Sequence, residues 1–197
     1  GEGTDCASIV FPPRVGAEVG GVGSCAMLIG HLPAGYLAAT AALDRSGLPA
    51  RRRRALLVTA LVASVAPDVD VVAFYATGGQ VHHHAFPTHW PSVWLAVTAL
   101  GLGAAAVQQS RYGALLALTV GAAAWLHLSL DSIAGAVRWG APFSDAETTL
   151  VEVPARYAGW IWSMVWHWTF GVEIALAAVA GAVAWRRRGR TRRESAP

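Results

Sequence analysis

The chain alternates between long apolar stretches and short segments in which charged and turn-forming residues collect. Four stretches approach or exceed the roughly 20 residues that a helix needs to cross about 30 Å of hydrocarbon, and a shorter one precedes them. The shorter stretch is 27–43, and the long ones are 55–77, 91–108, 113–137 and 158–185. This pattern predicts an all-α fold, a polytopic membrane helical bundle with four to five transmembrane helices.

The composition favours one compact membrane bundle. Of the 197 residues, 54% are hydrophobic and only 14% are charged, which is too apolar for an ordinary soluble domain. We therefore expect residues 27–185 to form a single transmembrane domain. Residues 1–26 are rich in glycine and lack the basic and apolar regions of a signal peptide, so we expect a disordered or non-native leader there.

Arginine marks one side of the predicted bundle. All 15 residues counted as Lys or Arg are arginine, and the main groups are at 51–54, at Arg111 and at 186–193. The positive-inside rule places these groups in the cytoplasm, with the N-terminus outside and the C-terminus inside. We interpret 186–197 as a basic cytoplasmic tail that contacts anionic membrane lipids, and nucleic acid is not an expected partner.

Histidine and aspartate concentrate on the opposite side. Four of the seven histidines lie within 82–89, in a loop that this topology places outside. Counting about 1.5 Å per helical residue places further ionisable residues in the outer parts of their stretches. These residues are His31, Asp68, Asp70, His127, Asp131 and His167. Separate stretches are therefore expected to converge on one face.

Ionisable groups at membrane depth cost several kcal/mol unless they are paired, hydrated or metal-bound. Imidazoles and carboxylates together suit a divalent metal; zinc is the leading candidate, and manganese, iron and nickel are compatible. His127 and Asp131 are four residues apart and share a helix face, so they can reach one metal or form an ordinary polar pair. Pro67 should break the helix and turn Asp68 and Asp70 towards one cavity, the alternative being a capped helix start with Asp70 in solvent.

The external loop supplies further ligand candidates. Pro87 stiffens the connection between His84 and His89, which favours a fixed presentation of both imidazoles. Three successive histidines cannot all face one metal in a compact loop. We therefore expect His82 and His83 to be solvent-exposed neighbours or proton carriers.

Two more ionisable residues lie in the last stretch. His167 sits among the tryptophans of 160–168, which indicate an interfacial belt, and Glu173 lies deeper in the same stretch. Both must face protein or water. We expect structural hydrogen bonds between helices, with support of a metal ligand as the alternative.

Four short motifs occur in a fixed order along residues 27–145. They are GHLPAGY at 30–36, APDVD at 66–70, the loop 84–89 ending in Thr88-His89, and HLSLD at 127–131 followed by GAPFS at 140–144. Together they resemble the YdjM-like membrane-bound metal-dependent hydrolase family, which is distantly similar to zinc-dependent phospholipases C and related nucleases. The family pattern usually has arginine where Ala85 stands.

The resemblance implies a helical, multi-pass protein of the bacterial inner membrane with a hydrolytic metal centre. Carried over by position, the metal ligands would be His31, Asp68, His84, His89, His127 and Asp131. Asp70 would be either a ligand or the partner of one. Asp70, His127 and Asp131 are the candidates for catalytic roles.

The expected reaction is metal-assisted hydrolysis, in which the ion lowers the pKa of a water towards about 7 and polarises the bond under attack. A spare aspartate or histidine would accept the proton. A site at the outer membrane face suggests a phosphoester or other lipid-linked substrate. Two alternatives stay open: a metal-binding membrane transporter, and a non-enzymatic membrane protein with a structural metal site.

Overall fold

The computed structural model describes residues 27, 29–76, 83–154, 156–157 and 160–194. These residues form the α-helices α1 (His31–Asp44), α2 (Ala50–Ala63), α3 (Asp70–Ala76), α4 (Pro91–Val107), α5 (Arg111–Ala134), α6 (Trp160–Val165) and α7 (Trp168–Glu194). Short 3-10 turns occupy Pro67–Val69, His83–Ala85 and Pro87–His89. The described ranges contain one isolated bridge, between Val137 and Thr148, and no β-strand, which confirms the predicted all-α class.

Within the part of the chain that the structure describes, two helices are long and apolar enough to cross a membrane. They are α5 and the Trp168–Gly189 part of α7. A third span results if α2 and the following Pro67–Ala73 segment count as one bent unit, while α4 is a shorter apolar helix. Length and composition thus give two to three candidate spans among the described residues. The predicted four to five stays a prediction.

The apolar and polar residues are distributed as expected for a protein surrounded by lipid. Large apolar side chains such as Leu100, Val107 and Trp185 are exposed, whereas ionisable side chains such as Asp131 and Glu173 are fully buried. A soluble monomer rarely exposes so much apolar surface. The outer surface of the helices therefore suits hydrocarbon, and the polar chemistry lies inside.

Helix α5 lies at the centre and packs against α1, α2 and α4, while α1 also packs against α2 and α7. Small buried residues, including Ala117, Gly121 and Ala124, let the neighbouring helices approach closely. Gly35 serves the same purpose on α1, because a Cβ there would lie 2.7 Å from the Cβ of Ser64.

The predicted break near Pro67 is present. Helix α2 ends at Ala63, and the chain bends by 48° before the Pro67–Ala73 segment continues. Proline lacks the N–H that an uninterrupted helix would use, and its ring clashes with the preceding turn. The break leaves backbone carbonyls near Ser64 available to partners outside the helix.

The hydrophobicity of 158–185 predicts a single helix, and this prediction is wrong. Helix α6 ends at Val165 and α7 begins at Trp168, so His167 lies at the break and precedes the candidate span. His167 Nδ1 lies 2.9 Å from the Thr169 hydroxyl and 3.5 Å from the Thr169 backbone nitrogen. Such a local side-chain partner competes with the helical hydrogen bonds and explains the interruption.

The two ends of the bundle differ in charge. At one end Arg187 of α7 pairs with Asp44 of α1, and Arg52 lies 5.3 Å above the ring of Tyr112. Helix α7 continues through the arginine-rich segment to Glu194, and residues 1–26 lie outside the described part. The opposite end holds the start of α1 and the end of α5, where the histidines and aspartates collect.

Candidate metal centre

The six predicted ligands come together from five segments. His31 is the first residue of α1, Asp68 lies in the turn after α2, and His127 and Asp131 lie on one face near the end of α5. The two 3-10 turns before α4 contribute His84 and His89. The convergence expected from topology is thus present in the fold, while the role of these residues as ligands stays a prediction.

Asp131 lies at the centre of the cluster. It is fully buried, and its oxygens face the Nε2 atoms of four histidines. The distances are 3.1 Å to His31, 3.6 Å to His84, 3.4 Å to His89 and 2.9 Å to His127. The ring of His31 also stacks on that of His127, with centroids 3.8 Å apart.

Asp68 supplies a second carboxylate to the cluster. Its Oδ1 lies 3.5 Å from His127 Nε2 and 3.8 Å from His89 Nε2. The side chain of Asp68 is 33% exposed, whereas the residues of the other five candidates are at most 3% exposed. The cluster therefore has one accessible edge, at Asp68.

The ligand atoms fall into two groups that could each hold a metal ion, and the atoms within a group lie within 4.8 Å of one another. One group is His31, Asp68, His127 and Asp131; the other is His84, His89 and Asp131. Metal–ligand bonds of about 2.0–2.1 Å at a tetrahedral angle separate ligand atoms by about 3.4 Å, which resembles the spacings above. Because Asp131 belongs to both groups, the arrangement accommodates one ion or two ions that share a carboxylate.

Hydrogen bonds behind the rings fix which nitrogen faces the centre. His84 Nδ1 lies 3.1 Å from the Ala136 carbonyl oxygen, and His127 Nδ1 lies 2.8 Å from the Ser64 carbonyl oxygen. A carbonyl only accepts, so each Nδ1 carries the hydrogen. In the neutral ring the Nε2 lone pair then points into the cluster, which is the usual arrangement of a metal-binding histidine.

His89 is held by a side chain in the same way. Its Nδ1 lies 2.6 Å from Asp70 Oδ2, and the same oxygen accepts a hydrogen bond from the Thr88 hydroxyl. Burial opposes a positive charge on this ring, but hydrogen bonds to Asp131 and Asp70 and the charges of both carboxylates raise the pKa of His89 to about 9. The surroundings of His89 therefore favour a positive charge, which either a proton or a metal ion supplies.

When the imidazoles are neutral, these contacts leave Nε2 atoms and carboxylate oxygens, all of them hydrogen-bond acceptors, facing one another. His89 Nε2 and His127 Nε2 are 3.3 Å apart, and both lie beside the carboxylate of Asp131. When both rings are neutral with the hydrogen on Nδ1, these atoms present only lone pairs, which repel one another in a buried site until a proton on one Nε2 or a metal ion between them removes the repulsion. The donor set of imidazoles and carboxylates therefore fits a divalent metal.

The histidine loop is fixed from two sides. The indole N–H groups of Trp90 and Trp94 donate to the carbonyls of Ala85 and Thr88, at 3.2 and 2.7 Å. Gly135 provides space on the other side, because a Cβ there would lie 2.7 Å from Cε1 of His84. Backbone and neighbouring helices thus hold the loop imidazoles in place.

Several residues considered from the sequence lie away from the converging atoms. Asp70 lies behind His89 and belongs to neither group of candidate ligands. His167 contacts Thr169, and Glu173 contacts the backbone before α1. His82 lies outside the described residues, as does the side chain of His83.

Sequence reasoning missed the groups that orient the rings. The carbonyls of Ser64 and Ala136 leave no signature, since every residue carries a carbonyl. Thr88 belongs to the loop motif, but the motif does not predict that its hydroxyl donates a hydrogen bond to Asp70. A threonine directly before a histidine that is expected to be buried could have indicated a hydrogen bond of this kind.

The fold and the cluster define a helical membrane protein with a buried histidine and aspartate site that can hold a metal ion. The sequence profile of the YdjM inner membrane protein family matches residues 27–192, which is most of the chain. The chain therefore belongs to the YdjM inner membrane protein family, as the resemblance predicted. No curated protein and no solved structure gives a significant match to the chain.

Proposed function

We propose that the protein is a membrane-bound metal-dependent hydrolase that acts on a phosphoester or other lipid-linked substrate at the outer membrane face. The observation that carries this proposal is the approach of four imidazole Nε2 atoms to the buried carboxylate of Asp131. Acceptors behind three of these rings direct their lone pairs inwards. Imidazole nitrogens and carboxylate oxygens held in this way are ligands that divalent transition metals prefer.

The residues take different roles in this proposal. The metal would be held by His31, Asp68, His84, His89, His127 and Asp131, with zinc as the ion best suited to several imidazoles. When bound, a metal of this kind lowers the pKa of a water towards about 7 and polarises the bond under attack. Asp70 orients His89 through the hydrogen bond to Nδ1. Asp68 at the accessible edge is the carboxylate that an incoming water can reach, and it can accept a proton from that water when it is not itself bound to the metal.

A groove on the lipid-facing surface supports a lipid-linked substrate. It has a volume of about 330 Å³ and is lined mainly by apolar side chains of α2, α4 and α5, among them Val58, Val62, Trp94 and Val120. The groove also includes Ala66, two residues before Asp68. An acyl chain in this groove would lie beside the segment that carries Asp68.

We also propose four to five membrane spans with the C-terminus in the cytoplasm. The pairing of Arg187 with Asp44 puts arginines at the end of the bundle away from the site, which the positive-inside rule assigns to the cytoplasm. In a Cys6→Ser, Cys25→Ser background, an impermeant maleimide should label Phe143→Cys but not Trp185→Cys in intact cells. The reverse labelling pattern would contradict the outer location of the site.

A structural metal site is the second candidate. Five of the six predicted ligands are almost completely buried, as is typical of structural ions that have no free position. The exposure of Asp68 instead favours a position that water or substrate can reach. The location of the cluster at one end of the helices does not favour a transporter, whose ligands usually lie near the membrane midplane.

Metal content and hydrolysis measured together test the proposal. The protein is purified in detergent, its metal is quantified by mass spectrometry, and hydrolysis of phosphomonoester, phosphodiester and phospholipid probes is followed. We expect bound metal and metal-dependent hydrolysis, with hydrolysis lost in Asp68→Asn. The control is Asp145→Asn, at a 95% exposed side chain that pairs only at the surface with Arg138. A stoichiometric metal without hydrolysis would favour the structural site, and the absence of metal would contradict both.

A further inference from the structure

Glu173 is a fully buried carboxylate within the candidate span of α7. Its Oε2 accepts hydrogen bonds from the backbone N–H of Ile29 and of Gly30, at 2.5 and 2.9 Å. An acid at this depth costs several kcal/mol unless it is satisfied, and such residues usually serve a function. The two hydrogen bonds connect this acid to the residues directly before His31.

Helix α1 has no cap of its own. The residue at its N-cap is Gly30, and no side chain of the segment accepts from the first N–H groups of the helix. Helices normally satisfy these groups with a local Ser, Thr, Asp or Asn. Here Glu173 of α7 instead accepts from the N–H of the N-cap residue Gly30 and of Ile29 before it, and a Cβ on Gly30 would lie only 3.3 Å from Cγ of Glu173. Glu173 thus fixes where α1 begins.

The position of the His31 ring depends on how the backbone at the start of α1 is held, and it does so more than the rings of His84, His89 and His127 depend on their own backbone. An acceptor lies behind Nδ1 of His84, His89 and His127, whereas Nδ1 of His31 is buried without a hydrogen-bond partner among the described residues. The position of the His31 ring is therefore set by its backbone, by stacking on His127 and by the contact of its Nε2 with Asp131, with no acceptor behind Nδ1.

We propose that Glu173 is a positioning residue, which fixes the start of α1 through the N–H groups of Ile29 and Gly30 and so holds the His31 imidazole at the metal centre. This inference rests on the proposed metal site. It adds to that site a residue from the last helix, which contributes no candidate ligand of its own. Metal affinity is thereby coupled to the packing of α7 against α1.

Metal affinity of the full-length protein, measured by competition with a chelator, tests this role. Glu173→Ala should weaken zinc binding by about 10-fold or more, the usual effect of losing a partner that orients a ligand. Glu173→Gln keeps an oxygen that can accept both hydrogen bonds and should restore most of the affinity. Glu173→Asp keeps the charge but shortens the reach, and should behave as Glu173→Ala does. The control is Asp44→Asn, which removes the α1–α7 pair at the opposite end and should leave affinity unchanged.

A double-mutant cycle with His31→Ala separates positioning from a general loss of packing. If Glu173 acts through His31, Glu173→Ala should cause no further loss of affinity once His31 has been removed. Hydrogen exchange at Ile29 and Gly30 gives a readout that needs no metal, and it should become faster in Glu173→Ala and in Glu173→Asp.

Several results would overturn the inference. One is an additional loss of affinity in the His31→Ala background, and another is wild-type affinity in both Glu173→Ala and Glu173→Asp; either would leave the proposed function intact. A wild-type protein that binds no zinc would overturn the proposed function as well, so the two failures are distinguishable.

Discussion

The two ends of the bundle both carry many ionisable residues but differ in how they accommodate them. At the arginine end, Arg187 and Asp44 form a pair whose side chains are 39% and 51% exposed. At the opposite end, His89 and Asp131 are completely buried, and their partners are other buried ionisable groups. Water solvates the first set, whereas only protein or a bound cation can stabilise the second.

This difference shows why the number of charges alone does not identify the functional end. Exposed ion pairs contribute about 0–1 kcal/mol, since water already stabilises both partners. A buried cluster instead costs free energy unless each group is compensated. The chain retains such a cluster at the end where four segments meet α5, which is the reason to assign the chemistry there.

The largest contrast should come from removing one aspartate at each end. Asp131→Asn removes the carboxylate that four imidazoles approach, so the protein should lose its bound metal and about 3–5 kcal/mol of stability. Asp44→Asn should keep the metal and lose less than about 1 kcal/mol. Metal content and thermal unfolding in detergent measure both effects. If the two variants had the same metal content and the same loss of stability, the two ends of the bundle would not differ in the way described above.

A smaller effect is expected for Asp70→Asn, which tests whether this residue holds metal or holds His89. The Asp70 carboxylate contacts Nδ1 of His89 on the side away from the cluster. The substitution should therefore weaken metal affinity by about 10–100-fold while keeping a loaded site at high metal concentration. A loss as complete as that in Asp131→Asn would instead make Asp70 a ligand.

Gly135→Ala tests how closely the loop must approach α5. The new Cβ would lie 2.7 Å from His84 Cε1 and 3.0 Å from the Asp131 carbonyl oxygen, so the ring must move. We expect about 1–3 kcal/mol of destabilisation together with weaker metal binding. The matched control is Gly103→Ala on α4, where no atom lies within 4 Å of the added Cβ. Equal thermal unfolding and metal affinity in the two variants would show that His84 needs no such space.

The smallest effect is expected for Thr88→Val, which removes the hydroxyl that donates to Asp70 but preserves the shape of the side chain. One lost hydrogen bond is worth about 1 kcal/mol, so metal affinity should fall by about fivefold. Chelator competition measures this change. An affinity that falls as far as in Asp70→Asn would mean that Thr88 does more than orient the carboxylate.

Much of the candidate site could be predicted from the sequence because membrane topology limits where ionisable residues can lie. Spacing placed His127 and Asp131 on one helix face, and Pro67 correctly predicted the break beside Asp68. The convergence of His31 with the loop histidines then followed from assigning each to the outer side. Each of these expectations rests on local geometry or on the exclusion of charge from hydrocarbon.

The remaining features depend on tertiary contacts that no local pattern encodes. The carbonyl of Ser64 reaches His127 across 63 positions of sequence, and Glu173 reaches Ile29 across 144. The division of the last stretch at His167 was also missed, because hydrophobicity does not register a side chain that competes with helical hydrogen bonds. Asp70 could bind the metal or orient His89, and the side of the His89 ring that it contacts decides between these roles.

X-ray absorption spectroscopy of the purified, metal-loaded protein can decide whether the histidine and aspartate cluster binds a metal, because it reports both the presence of the metal and the atoms around it. We expect a stoichiometric divalent metal with only nitrogen and oxygen neighbours, at about 2.0–2.1 Å if the ion is zinc, and with the multiple-scattering signal of several imidazoles. That signal should disappear in Asp131→Asn. A protein that holds no metal, or a metal bound through sulfur, would contradict the account.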